Sequence, residues 1–211
     1  MLPSPVSVVV AGGGPAGLMA AITAAEAGVA PVVVLESTAE PLHKVLISGG
    51  GRCNVTHACW DPASLVGHYP RGGRALRGPF SRFAAADTVA WFAARGLELV
   101  EEPDGRMFPR SGRSSSVVAL LQDAAAAAGV RLLTGASLRR ARVLPTGGFE
   151  LEPGGQGPIE TRSLVLATGS HPSGQRLAAS LGHQPVPPVP SLFTLALADP
   201  SLAALCLLYT S

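Results

Sequence analysis

VSVVVAGGGPAG, residues 6–17, carries a short apolar strand into three spaced glycines and then into the start of a helix. Gly12 permits a tight turn, Gly14 lets a ligand approach the backbone, and Gly17 allows the helix to pack closely on the strand. Pro15 suits the first helical position, where its missing N–H costs nothing, and Gly28 is a natural stop. With Ala16, these residues aim free amides and the positive end of a helix dipole at one place, a cradle for a diphosphate.

Working outward, Val32 to Glu36 reads as the second strand of a βαβ unit, its run of valines fitting a parallel strand covered on both faces. Glu36 closes that strand, where a carboxylate can accept both hydroxyls of an adenosine ribose and would repel a 2′-phosphate. A second glycine loop follows, SGGGRCN at residues 48–54. Its consecutive amides, the Arg52 guanidinium and the Asn54 amide all suit a pyrophosphate or a flavin ring. A domain for nicotinamide alone has no standard use for such a loop, so the pair points to a flavoprotein binding FAD.

The bulk composition agrees. The chain has 211 residues, 47% hydrophobic and 14% charged, enough for one α/β domain or one domain plus part of another. Net charge is only +2, and Lys44 is the one lysine among 16 basic residues, a bias most simply explained by a GC-rich genome. Cys53, Cys59 and Cys206 are odd in number and lack CxxC spacing, so neither a disulfide framework nor a metal site is supported, and a reducing, cytoplasmic setting fits best. Glu26 interrupts the longest apolar region, so no membrane span is expected.

Further along, residues 37–83 show little periodicity and read as a long irregular ligand-serving stretch. A helix is expected over Asp87 to Arg95, capped by Asp87 or a neighbour and stopped at Gly96. Leu97 to Glu101 follows, with a turn at Pro103 to Gly105. Ser114 to Ala128 reads as a serine-capped helix. Val130 to Thr134 is expected as a third parallel strand, Ser137 to Thr161 as a β-meander, and Ser163 to Ala167 as another buried strand leading into Ala167, Thr168 and Gly169. The prolines from Pro185 to Pro190 mark a stiff exit.

Other chemistry is sparse. His43, His57, His68 and His171 are dispersed, with no HExxH motif and no nucleophile elbow, so hydrolase readings lack support. Cys53 reads as structural ahead of redox-active, since nothing in the sequence activates its thiol. RGGRALRGPFSR, residues 71–82, offers Arg71, Arg74, Arg77 and Arg82 beside Phe80; it reads as a solvated basic loop first and a phosphate-contacting segment second. No residue stands out as a catalytic acid.

The ordered set AGGGPAGLMAA, KVLISGGGRCNVTH, YPRGGRALRGPFSRF, DTVAWFAARGLEL, EPDGRMFPRS and LVLATGSHP resembles the BaiN-like (YhiN/RdsA-type) bacterial NAD(P)/FAD-dependent oxidoreductases. The likeness runs from about Val6 to about Leu205, and ISGGGRCN and DGRMFP are specific to it. It implies a Rossmann-like, two-dinucleotide-type FAD-binding domain with a parallel sheet and a β-meander crossover. On this pattern Gly12, Gly14, Gly17 and Glu36 hold the ADP half of FAD. Lys44, Ser48, Gly50, Gly51, Arg52, Cys53 and Asn54 contribute from the second loop, and Ala167, Thr168 and Gly169 close over the cofactor.

The resemblance also implies NAD(P)H as reductant and an unsaturated carbon–carbon bond as the group reduced, in a steroid-like small molecule or a uridine of ribosomal RNA. Residues 1–184 would be the first segment of the FAD domain and 185–211 the start of an inserted second domain, incomplete because related chains are about twice as long. His57 replaces the family's usual Asn, and the closing CLLYTS departs from the family's continuation and reads as non-native. A truncated, non-catalytic fragment with weak or no FAD binding is therefore a third expectation beside a small-molecule reductase and an RNA uridine reductase.

Overall fold

The computed structural model describes residues 5–189. Its first strand, β1 (Val6–Ala11), runs into helix α1 (Pro15–Glu26) through the glycine turn, and β2 (Val32–Leu35) follows. All four β2 residues are buried, as their unbroken valine run requires. Each such valine contributes roughly 1.5 kcal/mol when fully withdrawn from water. Gly28, at φ +83°, ends α1 as expected.

Contacts divide the described residues into two compact units, one formed by residues 5–43 and 121–189 and the other by Lys44–Leu120. The first unit is built on a six-stranded sheet. Beyond β2 lies β6 (Arg131–Leu133), the expected third parallel strand, and on the other side of β1 lie β9 (Ile159–Leu166), β8 (Phe149–Pro153) and β7 (Leu138–Val143), giving the order β6-β2-β1-β9-β8-β7. Strands β6, β2, β1 and β9 are parallel, whereas β9, β8 and β7 form an antiparallel meander. Helix α1 packs on β1, β2 and β9, and α7 (Pro172–Ser180) packs on β7. A core of Val9, Val33, Leu35, Leu138, Leu151, Ile159 and Leu177 fills the unit.

The meander differs from expectation in one respect. The stretch from Ile159 to Leu166 is a single strand rather than two: it pairs antiparallel with β8 over Ile159 to Thr161 and parallel with β1 over Thr161 to Leu166. Helix α7 carries no helical signal in the sequence because Gly174 lies inside it; His171 caps it by accepting the Ser173 N–H on Nδ1.

The second unit corrects the reading of residues 37–83 as irregular. It holds α2 (His43–Ile47, entered from the first unit), a 3₁₀ turn at Ser48–Gly51, β3 (Thr56–His57), α3 (Pro62–Gly67) and α4 (Gly73–Phe80). These elements have two to eight residues, too few to show a period, and Pro62 and Pro79 read as breakers although one opens α3 and the other sits in the last turn of α4. The basic 71–82 segment is thus largely helical. Helix α5 (Ala85–Ala93) is capped at Ala84, with Asp87 in the first turn accepting the Ala84 N–H at 2.8 Å, not at the cap itself. A three-stranded antiparallel sheet, β3-β5-β4, joins β4 (Leu99–Glu101) and β5 (Arg106–Pro109), the latter unforeseen.

Helix α6 (Ser114–Ala127) occupies its expected span. Ser114 is buried and its hydroxyl donates to the Leu46 carbonyl at 2.8 Å, so it ties the helix to residue 46 instead of capping it. Residues 183–189 follow α7 without regular structure, and the remainder of the proposed 185–211 segment, with Cys206 and CLLYTS, lies outside the described residues. Among those described, no helix is long and apolar enough to cross a membrane, and no cluster of His, Cys, Asp and Glu could hold a metal ion.

Candidate functional site

In the first unit, the glycine turn is fixed on every side. The Gly12 N–H donates to the Leu35 carbonyl at 2.8 Å, and the Ala167 N–H donates to the Ala11 carbonyl at 2.8 Å, so both neighbouring strands grip the end of β1. Gly12 sits at φ +115°, and a Cβ there would collide with the Ala167 carbonyl. A Cβ on Gly17 would run into the Gly12 carbonyl oxygen, so the close approach expected of Gly17 is to the turn as well as to Val10 on the strand. Gly14, the N-cap of α1, faces open space, and the first turn of α1 carries no acidic residue. The helix's own bonding begins with Leu18 N–H to the Gly14 carbonyl at 2.9 Å, leaving the Ala16 and Gly17 amides ahead of it.

Gly13, which the sequence did not single out, is the hinge of the arrangement. Its N–H donates to Glu36 Oε2 at 2.7 Å, and its carbonyl accepts the N–H of Leu42 at 3.2 Å. Leu42 is buried and holds the left-handed conformation, φ +63°, which a non-glycine residue adopts only under constraint. Glu36 Oε1 meets the Thr38 N–H at 2.8 Å, the Thr38 hydroxyl at 2.8 Å and the Ser37 hydroxyl at 3.2 Å. Burial works to raise the Glu36 carboxyl, but the bonds from Thr38, Gly13 and Ser37 outweigh it and leave the pKa below the ordinary glutamate value. The carboxylate is therefore ionised and fixed beside the turn. Thr168 and Gly169 follow Ala167 at the end of β9; Gly169 has φ +61°, and the Thr168 hydroxyl donates to the His171 carbonyl at 3.4 Å.

The second glycine loop belongs to the other unit. Gly49, Gly50 and Gly51 have φ +55°, +66° and +83°, a left-handed run open only to glycine at low cost; Arg52 interrupts it at φ −98°, and Cys53 returns to the left-handed region at φ +62°. The Cys53 N–H donates to the Ser48 carbonyl at 3.0 Å, closing the loop. Ser48 also donates its hydroxyl to the Val45 carbonyl at 2.9 Å. Cys53 is buried, and burial pushes its thiol pKa up against a weaker effect from Ser48, which is the environment of a structural cysteine. Lys44 is exposed on α2.

Arg52 is held within its own unit. Its Nη1 lies 2.5 Å from Glu102 Oε1, and its guanidinium stacks 4.1 Å from the centre of the Phe108 ring. Glu102 also faces Arg106 at 3.6 Å, and Arg106 pairs with Asp104 at 2.7 Å. Gly49 would meet Phe108 if it carried a Cβ, and the Asn54 amide reads best turned to the Thr56 and Met107 carbonyls, at 2.8 and 3.3 Å. Thus DGRMFP is the floor on which SGGGRCN lies. Glu102 and Phe108 were missed as supports, although the second belongs to a string quoted for its specificity.

Residues 6–190 match the family described as HI0933-like protein Rossmann domain. The chain belongs to this family. Among its curated relatives, the 3-dehydro-bile acid delta(4,6)-reductase of Clostridium scindens is 33% identical over 192 residues, covering 87% of this chain and 46% of that protein. The ribosomal RNA dihydrouridine synthase of Escherichia coli is 26% identical, covering 93% and 50% respectively. The HI0933-like chain therefore spans about half the length of the curated relatives it matches. Among solved structures, Thermovibrio ammonificans THI4 superposes with a TM-score of 0.58 at 16% identity, over 84% of this chain and 62% of that one, a likeness of fold. The Rossmann-like architecture read from residues 6–36 is the one observed.

Proposed function

We propose that the protein binds FAD and serves an oxidoreductase that uses NAD(P)H to reduce a carbon–carbon double bond. The observation that carries this reading is the glycine turn held open beside an ionised Glu36 in the first unit. The donor set fits a dinucleotide: open backbone at Gly14, the Ala16 and Gly17 amides for a diphosphate, and a carboxylate for a ribose. Pro15, Ala167, Thr168 and Gly169 complete that half. Lys44, Ser48, Gly50, Gly51, Arg52, Cys53 and Asn54 are the proposed contribution of the second loop. Of the two curated relatives, one is named a bile acid delta(4,6)-reductase and the other a ribosomal RNA dihydrouridine synthase, which supports a reductive chemistry on an unsaturated substrate.

The bound flavin supplies hydride chemistry. The chain's own residues bind and orient. Glu36 holds the ribose and, through Gly13, the attitude of the turn; the α1 N-terminus neutralises the diphosphate; Arg52, pinned by Glu102 and Phe108, keeps a fixed fork of donors. Free Cys53 and Cys59 accord with a reducing, cytoplasmic compartment.

The test is flavin content. Protein purified from its whole reading frame is expected to carry FAD with its visible absorbance, bleached anaerobically by NADH or NADPH. A colourless protein that cannot be reconstituted with FAD would sink the proposal. If the 211-residue chain alone binds FAD weakly or not at all and does not oxidise NADH or NADPH, the non-catalytic fragment describes that chain; oxidation at a rate comparable with a full-length relative would remove that alternative.

A second reading, an RNA-base substrate, is favoured by α4. Arg74, Arg77 and Arg82 are exposed and join no ion pair among the described residues, with Tyr69 and Phe83 exposed nearby in the chain. Replacing the three arginines by alanine should weaken binding to a ribosomal RNA fragment and lower the salt slope by roughly 0.7 for each phosphate that is no longer neutralised. Unchanged affinity and slope would remove this reading.

A further inference from the structure

Resting on the reading of Glu36 as the ribose ligand, we infer that this carboxylate accepts only one of the two ribose hydroxyls, and that Ser37 and Thr38 impose this limit. A carboxylate offers about four lone-pair sites, two on each oxygen. Oε1 faces three donors: the Thr38 N–H at 2.8 Å, the Thr38 hydroxyl at 2.8 Å and the Ser37 hydroxyl at 3.2 Å. The Thr38 hydroxyl has a second acceptor within reach, the Glu40 carbonyl at 2.9 Å, but even with its proton there the other two donors fill Oε1. Oε2 receives the Gly13 N–H at 2.7 Å and retains one open site. The bidentate grip expected from the sequence is therefore replaced by a single bond through Oε2.

The segment is not arranged to release Oε1. The Glu36 N–H donates to the Leu133 carbonyl at 2.8 Å, the Glu36 carbonyl accepts the Ala136 N–H at 2.8 Å, and the Thr38 carbonyl accepts the Gly135 N–H at 3.0 Å. These bonds fix the backbone from which the Thr38 N–H points. Ser37 and Thr38 are positioning residues: they touch Glu36, and Glu36 touches the ligand.

Calorimetric titration of the protein with ADP, 2′-deoxy-ADP and 3′-deoxy-ADP tests this. One deoxy analogue should bind within about twofold of ADP, while the other weakens roughly tenfold or more, the cost of one hydrogen bond to a charged acceptor. In the double variant Ser37→Ala/Thr38→Val, which leaves one donor on Oε1, both analogues should weaken relative to ADP. Ser37→Ala/Thr38→Ser should restore the one-sided pattern. Equal weakening of both analogues in the unaltered protein, or of neither, overturns the inference, and that comparison stands even where the double variant does not fold. Glu36→Gln separates the two levels: if it leaves ADP affinity unchanged, the ribose reading itself fails, whereas reduced affinity with equal analogue losses overturns the single-bond claim alone.

Discussion

Gly17 and Glu36 are the residues at which the turn is most exposed to change. A methyl group at Gly17 has only the Gly12 carbonyl to move against, and that carbonyl belongs to a turn tied to both neighbouring strands. Gly17→Ala should destabilise the protein by about 2–4 kcal/mol, read as a lower urea midpoint. Glu36 acts through its charge. Because its folded pKa lies below the unfolded value, its contribution is complete above the ordinary glutamate range and is lost as pH falls through the lowered value. Thermal stability and ADP affinity should both decline on acidification through that window, and Glu36→Gln should flatten the stability profile. Cys53 makes the opposite case: buried, its thiol raised, it should resist iodoacetamide at neutral pH while half-buried Cys59 is alkylated first, as peptide mapping by mass spectrometry would record. Rapid labelling of Cys53 would contradict the buried geometry.

At the level of elements, the β1-turn-α1-β2 unit was legible because each signal is local: valines in sequence, glycines at fixed spacing, an acid at the strand's end. What escaped was either short or bonded across long sequence distances. Helices α3 and α4 are too brief to display a period, and α7 hides behind an internal glycine. The partners of Glu36 were invisible for another reason. Ser37 and Thr38 are ordinary strand-exit residues in sequence, and only the folded loop turns their donors onto one oxygen. Likewise Arg52 and Phe108 are read separately until β5 lies beneath the glycine loop. Phe108→Leu should keep most of the buried apolar contact while removing the ring under the guanidinium. A modest stability loss, about 1 kcal/mol, together with weakened FAD retention is the expected result; unchanged FAD retention would show that the stack does not serve the ligand.

Across the whole molecule, the division into residues 44–120 and the remainder predicts where damage travels. Leu151, fully buried in the sheet of the first unit, should cost about 3 kcal/mol on replacement by alanine, and hydrogen exchange should show the loss of protection concentrated in residues 5–43 and 121–189. Uniform loss through residues 44–120 would refute that partition. The pairing of β1 with β9 has a further consequence, for synthesis. β1 is translated well before its partner strand β9, which brings Ala167 against Gly12 and follows about 155 residues later. At ordinary elongation rates the nascent strand waits roughly eight to thirty seconds with one edge unpaired. Until β9 emerges, nothing native covers that edge, and a chaperone or a slow stretch of codons would matter more here than at any later strand.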